Sequence, residues 1–237
     1  MARVALWAVA AVAVLELAPR VPGVGSIEVR VLLGFALGLV PVLLMSWTLV
    51  KGVLSPAALG ALIVVGIVSA VLLSRLGWFA AAVPFKVVLA ASIGVLLGRQ
   101  VAEAWWLVVV AGVALVADVW SVFAGPTKVV VEKAPVVLDY LLIHFPVLGV
   151  AGSGMGLGMS DVIFLSLFAA GSAGAGLRPV AGFLAMAASF LVTVTVALVW
   201  KPALPALPFL AVAFLAVNSG RFVGLARSAR DRRRGSG

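Results

Sequence analysis

Long apolar stretches, broken at short intervals by proline, glycine and single charges, run the length of the chain. Eight of them approach or reach the roughly 20 residues that a helix needs to cross hydrocarbon. They are Val4–Leu17, Val31–Val50, Pro56–Leu73, Trp78–Leu97, Ala104–Ala124, Gly158–Gly176, Val180–Trp200 and Ala203–Val223. The separators stop helices or suit an interface: Pro19-Arg20-Val21-Pro22, Lys51-Gly52, Ser74-Arg75, Arg99-Gln100, Arg178-Pro179 and Lys201-Pro202. Trp78, Trp105, Trp106 and Trp200 fall near the ends of stretches, where indole favours the membrane boundary. Glu16 and Lys86 also fall near ends and read as snorkelling side chains without a functional role. The pattern predicts an all-α, polytopic transmembrane helix bundle of about eight spans.

One region departs from the pattern. Between Gly125 and Leu157 lie Lys128, Glu132, Lys133, Asp139, His144 and three prolines, with the run Gly152-Ser-Gly-Met-Gly-Leu-Gly158 at its end. The apolar part, Val136 to Val150, is short and interrupted. It reads as an interfacial or re-entrant segment, with the glycines as a flexible approach to the next helix. Non-helical backbone at membrane depth has to be lined by protein or by a water-filled cavity. The chain then divides into N-terminal helices over 1–103, a core over 104–224 that contains the segment 125–157, and a basic tail over 225–237.

Composition sharpens this. The 237 residues are 65% hydrophobic and 11% charged, against about 45–50% and about 25% in soluble domains. The absence of cysteine excludes thiolate metal sites and cysteine nucleophiles, and the single histidine, His144, excludes a multi-histidine metal site. His144 reads as an interfacial residue. The glycine run is followed by no Lys-Ser/Thr pair, so it is not a phosphate-binding loop. The net charge is +9, and five of the 17 basic residues lie between Arg227 and Arg234. Such a run after a last apolar stretch marks a cytoplasmic end or an anionic-lipid contact rather than nucleic-acid binding. With eight spans, both termini lie on that side. Arg3 and the apolar run that follows read as a short first span, because no small-x-small cleavage site leads into a polar chain.

Two aspartates fall inside apolar stretches. Asp118 lies between Val116-Ala117 and Val119-Trp120; Asp161 opens the stretch Val162-Ile-Phe-Leu. An ionisable group in a span costs about 2.5–3.5 kcal/mol on insertion scales, so it faces a partner or water. Ala111, Ala114, Asp118, Ser121 and Gly125 share one helix face by spacing. Gly154, Gly158 and Asp161 suggest a second small-residue stripe, and small faces allow helices to approach closely. Two carboxyls brought together share a proton, which suits hydrolysis of an amide without metal, thiol or histidine. The spacing alone leaves other roles open: bonding to backbone, or lining an ion path as in a small transporter or channel.

Three stretches resemble the presenilin and signal-peptide-peptidase family of intramembrane aspartyl proteases. Ala114-Leu-Val-Ala-Asp118-Val-Trp-Ser-Val-Phe-Ala-Gly-Pro-Thr-Lys-Val-Val-Val-Glu132 is similar to the segment with the first catalytic aspartate. Gly156-Leu-Gly-Met-Ser-Asp161-Val-Ile-Phe-Leu-Ser resembles the Gly-x-Gly-Asp segment. Lys201-Pro-Ala-Leu-Pro205-Ala-Leu-Pro208 is close to the Pro-Ala-Leu motif with its flanks. The resemblance covers roughly Ala104 to Val223. Ala117 replaces the usual tyrosine, Ser160 replaces the glycine before the second aspartate, and eight spans replace the usual nine. The resemblance implies a prokaryotic-like, multi-pass enzyme of the cell membrane that cuts transmembrane segments or signal-peptide remnants. Asp118 and Asp161 are its implied catalytic pair. Gly158, Ser160, Pro205, Ala206 and Leu207 are its implied substrate-binding residues, with no cofactor and no metal. A catalytically weak relative that binds membrane helices is a further expectation, motivated by Ser160.

Overall fold

The computed structural model describes residues 1–101, 103–123, 140–200 and 204–235. Among the described residues eight α-helices form where the apolar stretches predict them: α1 (Ala2–Leu17), α2 (Ile27–Lys51), α3 (Pro56–Arg75), α4 (Phe79–Arg99), α5 (Ala104–Phe123), α6 (Met159–Gly174), α7 (Pro179–Trp200) and α8 (Leu207–Gly235). Seven are long and apolar enough to cross a membrane; α6 is apolar but has only 16 residues. The protein is a polytopic helical membrane protein. A short 3-10 turn, Ala18–Arg20, follows α1. There the exposed Glu16 reaches Arg20 at 3.8 Å, as suits a helix end.

Glycine decides what sits at the centre. Gly94 and Gly98 on α4 face α6 so closely that a Cβ on either would meet backbone, the carbonyls of Ile163 and Leu167 respectively. Gly171 of α6 lies against Gly98 in return, and Gly66 brings α3 onto α4 in the same way. Lipid is as apolar as leucine, so it gives helices no hydrophobic reason to associate; close backbone approach supplies dispersion contact instead. The result is that 61% of the α4 span is buried, against 17% of α5. Phe168 of α6 stacks on Phe214 of α8 with centroids 4.5 Å apart, and Trp47 of α2 meets Phe183 of α7 at 4.8 Å.

The segment ahead of α6 differs from expectation. Residues 124–139, and with them Lys128, Glu132, Lys133 and Asp139, lie outside the described residues. Over 142–158 the chain is neither a re-entrant helix nor a flexible approach. It is an antiparallel hairpin of β1 (Leu142–Val147) and β2 (Val150–Gly158), turning at Leu148-Gly149. Gly149 has φ +67°, a conformation that glycine adopts without strain. Its N–H donates to the Ala18 carbonyl, which ties the hairpin tip to the turn after α1. On α2, Gly34 and Gly38 leave room for Pro146 and Phe145, and Phe145 packs on Phe35 at 4.6 Å. Protein therefore lines the β1 side of this non-helical backbone.

Two further expectations are corrected. Gly154 and Gly158 belong to β2, so with Asp161 they form no helical stripe. Alternate glycines at 152, 154, 156 and 158 follow the period of a strand, and the helix starts only at Met159. Lys86 does not snorkel: it lies in the second turn of α4 and is 2% exposed. Beyond the apolar span Leu207–Leu225, α8 continues into the basic run as far as Gly235.

Candidate functional site

Helix direction brings the two aspartates together. The α5 and α6 helices run antiparallel, with Leu107 of α5 against Gly171 of α6. About three turns further along α5, and the same distance back along α6, stand Asp118 and Asp161 at one level. The two carboxyls lie close to each other. Asp161 is 7% exposed, while Asp118 is half-buried. The small face of α5 is used as its spacing suggests: Leu107, Ala111 and Ala114, on the face of Asp118, are buried. α8 takes the larger share of the contact with α5.

Each carboxylate is held by one backbone amide. The N–H of Gly158, the N-cap of α6, donates to Asp161 Oδ2 at 3.0 Å. Asp161 stands at the third helical position, from which an acidic side chain can reach back to the cap. The N–H of Leu207, the first residue of α8, donates to Asp118 Oδ2, also at 3.0 Å. This second bond spans 89 residues of sequence and follows from the prolines. Pro205 and Pro208 keep the preceding chain from being helical, and Pro208 fits the first turn, where no amide partner is needed. The helix begins at Leu207 rather than near Ala203, which leaves the Leu207 amide free of any intrahelical acceptor. Lys201 and Pro202 lie outside the described residues.

The structure thus brings Asp118, Asp161, Gly158 and Leu207 together. Pro205 and Leu207 are buried and Ala206 is half-buried, whereas Ser160 is exposed, with its Oγ beside Gly158. A groove of about 440 Å³ on α5, lined by Gly112, Val113, Val116, Ala117 and Trp120, opens on the side of the helix away from Asp118 and is not part of this site. Among the described residues no group of three or more His, Cys, Asp or Glu could hold a metal ion.

Sequence reasoning missed two features next to the aspartates, the hairpin and Lys86. The hairpin had a signal in the alternate glycines of 152–158, which repeat every second residue. Lys86 had none, since hydropathy places it near a helix end without showing what packs on it. Compared with models of known protein families and with curated proteins, the chain matches none.

Proposed function

We propose that the protein is an intramembrane aspartyl endopeptidase with Asp118 and Asp161 as its catalytic pair. The observation that carries the reading is the Leu207 N–H to Asp118 Oδ2 bond, which joins the Pro205-Ala206-Leu207 stretch to one of the two carboxyls. Chain order and residue types in the three stretches that resemble presenilins and signal peptide peptidases support it.

The chemistry follows from the pair. Two neighbouring carboxyls in a medium of low dielectric carry one proton between them. The ionised one takes a proton from water as the water oxygen adds to the scissile carbonyl carbon; the protonated one hydrogen-bonds the carbonyl oxygen. When the C–N bond breaks, the departing nitrogen takes up a proton and the pair is restored. The amides of Gly158 and Leu207 each fix one oxygen, so both carboxyls are oriented before substrate arrives. A substrate helix has to unwind first. Among the described residues β2 pairs with β1 alone, and Val150, Ala151, Gly154 and Gly156 are exposed, so a strand can add there. Glycine there lets another backbone come close.

On this reading the substrates are transmembrane segments or signal-peptide remnants, the setting is a prokaryotic cell membrane, and neither cofactor nor metal takes part. The test is incubation of purified protein in lipid with a transmembrane peptide, alongside Asp118→Ala and Asp161→Ala. We expect cleavage within the apolar part of the peptide by the wild type and none by either variant. Cleavage that survives both substitutions overturns the reading. A wild type that leaves a panel of such peptides intact does so too, and returns Asp161 to the role of a helix cap.

A further inference from the structure

The α4 and α6 helices run side by side in the same direction, for Gly94 faces Ile163 and Gly98 faces Leu167. About two turns back from Gly94 is Lys86, which therefore stands at the level of the N-terminus of α6. Its Nζ donates to the carbonyl of Leu142 at 2.8 Å. Leu142 is the first residue of β1, and its partner across the hairpin is Gly158, the last residue of β2. The N–H of Gly158 is the donor to Asp161 Oδ2. Lys86 and Asp161 are thus joined through a single strand pair. At its tip the hairpin is held by the Gly149 amide, and at its open end by Lys86.

We infer that Lys86 is a positioning residue for Asp161. By holding the Leu142 carbonyl it sets the register of the Leu142–Gly158 pair, and so aims the Gly158 N–H at the carboxylate. A lysine buried in a membrane helix is costly and needs a reason to be kept. Burial in packed protein also restricts the side chain, as a surface position does not. The role acts through backbone and requires no transfer of charge to Asp161. That positioning matters for turnover rests on the protease reading; that it sets the hairpin does not.

The test compares the wild type in lipid nanodiscs with Lys86→Met, similar in length but without a donor, and Lys86→Arg, which keeps one. Amide hydrogen exchange is read over Leu142–Asp161 and over α1–α3, and kcat and KM are read on a transmembrane peptide. In Lys86→Met we expect hairpin exchange to accelerate about tenfold or more, the loss expected for one charge-assisted hydrogen bond, with α1–α3 unchanged. We expect kcat to fall by a similar factor with KM within about twofold, because the bond orients a reacting group rather than the substrate. Lys86→Arg should recover both. Wild-type exchange over the hairpin in Lys86→Met overturns the proposal, whatever the activity. Faster hairpin exchange with an unchanged kcat also overturns it and leaves Lys86 a packing residue. If Lys86→Met loosens every helix, Lys86→Arg decides: a folded Arg variant with fast hairpin exchange contradicts the proposal. If the wild type cleaves nothing, the protease reading fails, and the exchange data alone decide whether Lys86 sets the hairpin.

Discussion

The helices α5 and α6 each carry one of the paired aspartates, yet they occupy opposite situations. α6 is short, rich in Ser and Gly, and buried along most of its length, from Asp161 through Ser172. α5 is a nearly unbroken apolar run that leaves Trp105, Trp106, Val113, Val116 and Trp120 exposed. In water the more apolar helix would be the buried one. In a bilayer the surroundings already satisfy apolar side chains, so hydrophobicity does not decide which helix is central. Small residues do, because they let backbones meet. Asp161 accordingly sits on a helix fixed by its neighbours. Asp118 sits on one that is held on one side, by α8 and, more lightly, by α6.

That contrast can be broken most severely at the α4–α6 contact. Gly94→Leu would drive a side chain into the Ile163 carbonyl. We expect a cost at or above the upper end of the about 1–3 kcal/mol typical of overpacking, seen as loss of monodisperse protein in detergent. The mirror substitution, Gly112→Leu on the open side of α5, should be tolerated, since a Cβ there meets nothing within 4 Å. Truncations sharpen the same comparison. Leu165→Ala in α6, at a fully buried position, should cost about 2–5 kcal/mol. Val116→Ala in α5, which is 65% exposed, should change stability by less than about 0.5 kcal/mol in a melting experiment.

The aspartates' own contacts are subtler. Leu207→Pro removes the N–H that holds Asp118 while suiting the first position of a helix. We expect peptide cleavage to slow by about tenfold or more, from the about 1.5–3 kcal/mol of a hydrogen bond to a charged group. Leu207→Met, which keeps the amide, should cleave at close to the wild-type rate. The smallest effect belongs to Ser160→Gly. The side chain is exposed, so we expect stability within about 0.5 kcal/mol of the wild type and little change in cleavage.

How far this was legible in the sequence depends on which interaction decides each feature. Helix positions were, because apolar length and proline or charge punctuation are local. The small face Ala111, Ala114, Asp118 was, because helical spacing is also local, and α8 does pack there. The stripe joining Gly154 and Gly158 to Asp161 was misread, since the helical period was applied to glycines that repeat at the period of a strand. The burial of Lys86 could not be read, for it depends on Leu142, 56 residues away. The contact of Leu207 with Asp118 could be framed only as a geometric requirement. The prolines free an amide, but no local rule says which group receives it.

The central claim is that Asp118 and Asp161 act as one catalytic unit, and a double-mutant cycle on peptide cleavage tests it most directly. Rates are measured in lipid for the wild type, Asp118→Asn, Asp161→Asn and the double variant. The account predicts that each single substitution lowers the rate by about 10²–10⁴-fold, and that the double variant is no slower than either single one, because groups that act as a unit are lost together. A single variant that still cleaves within about tenfold of the wild type, or losses that multiply in the double variant, would contradict it.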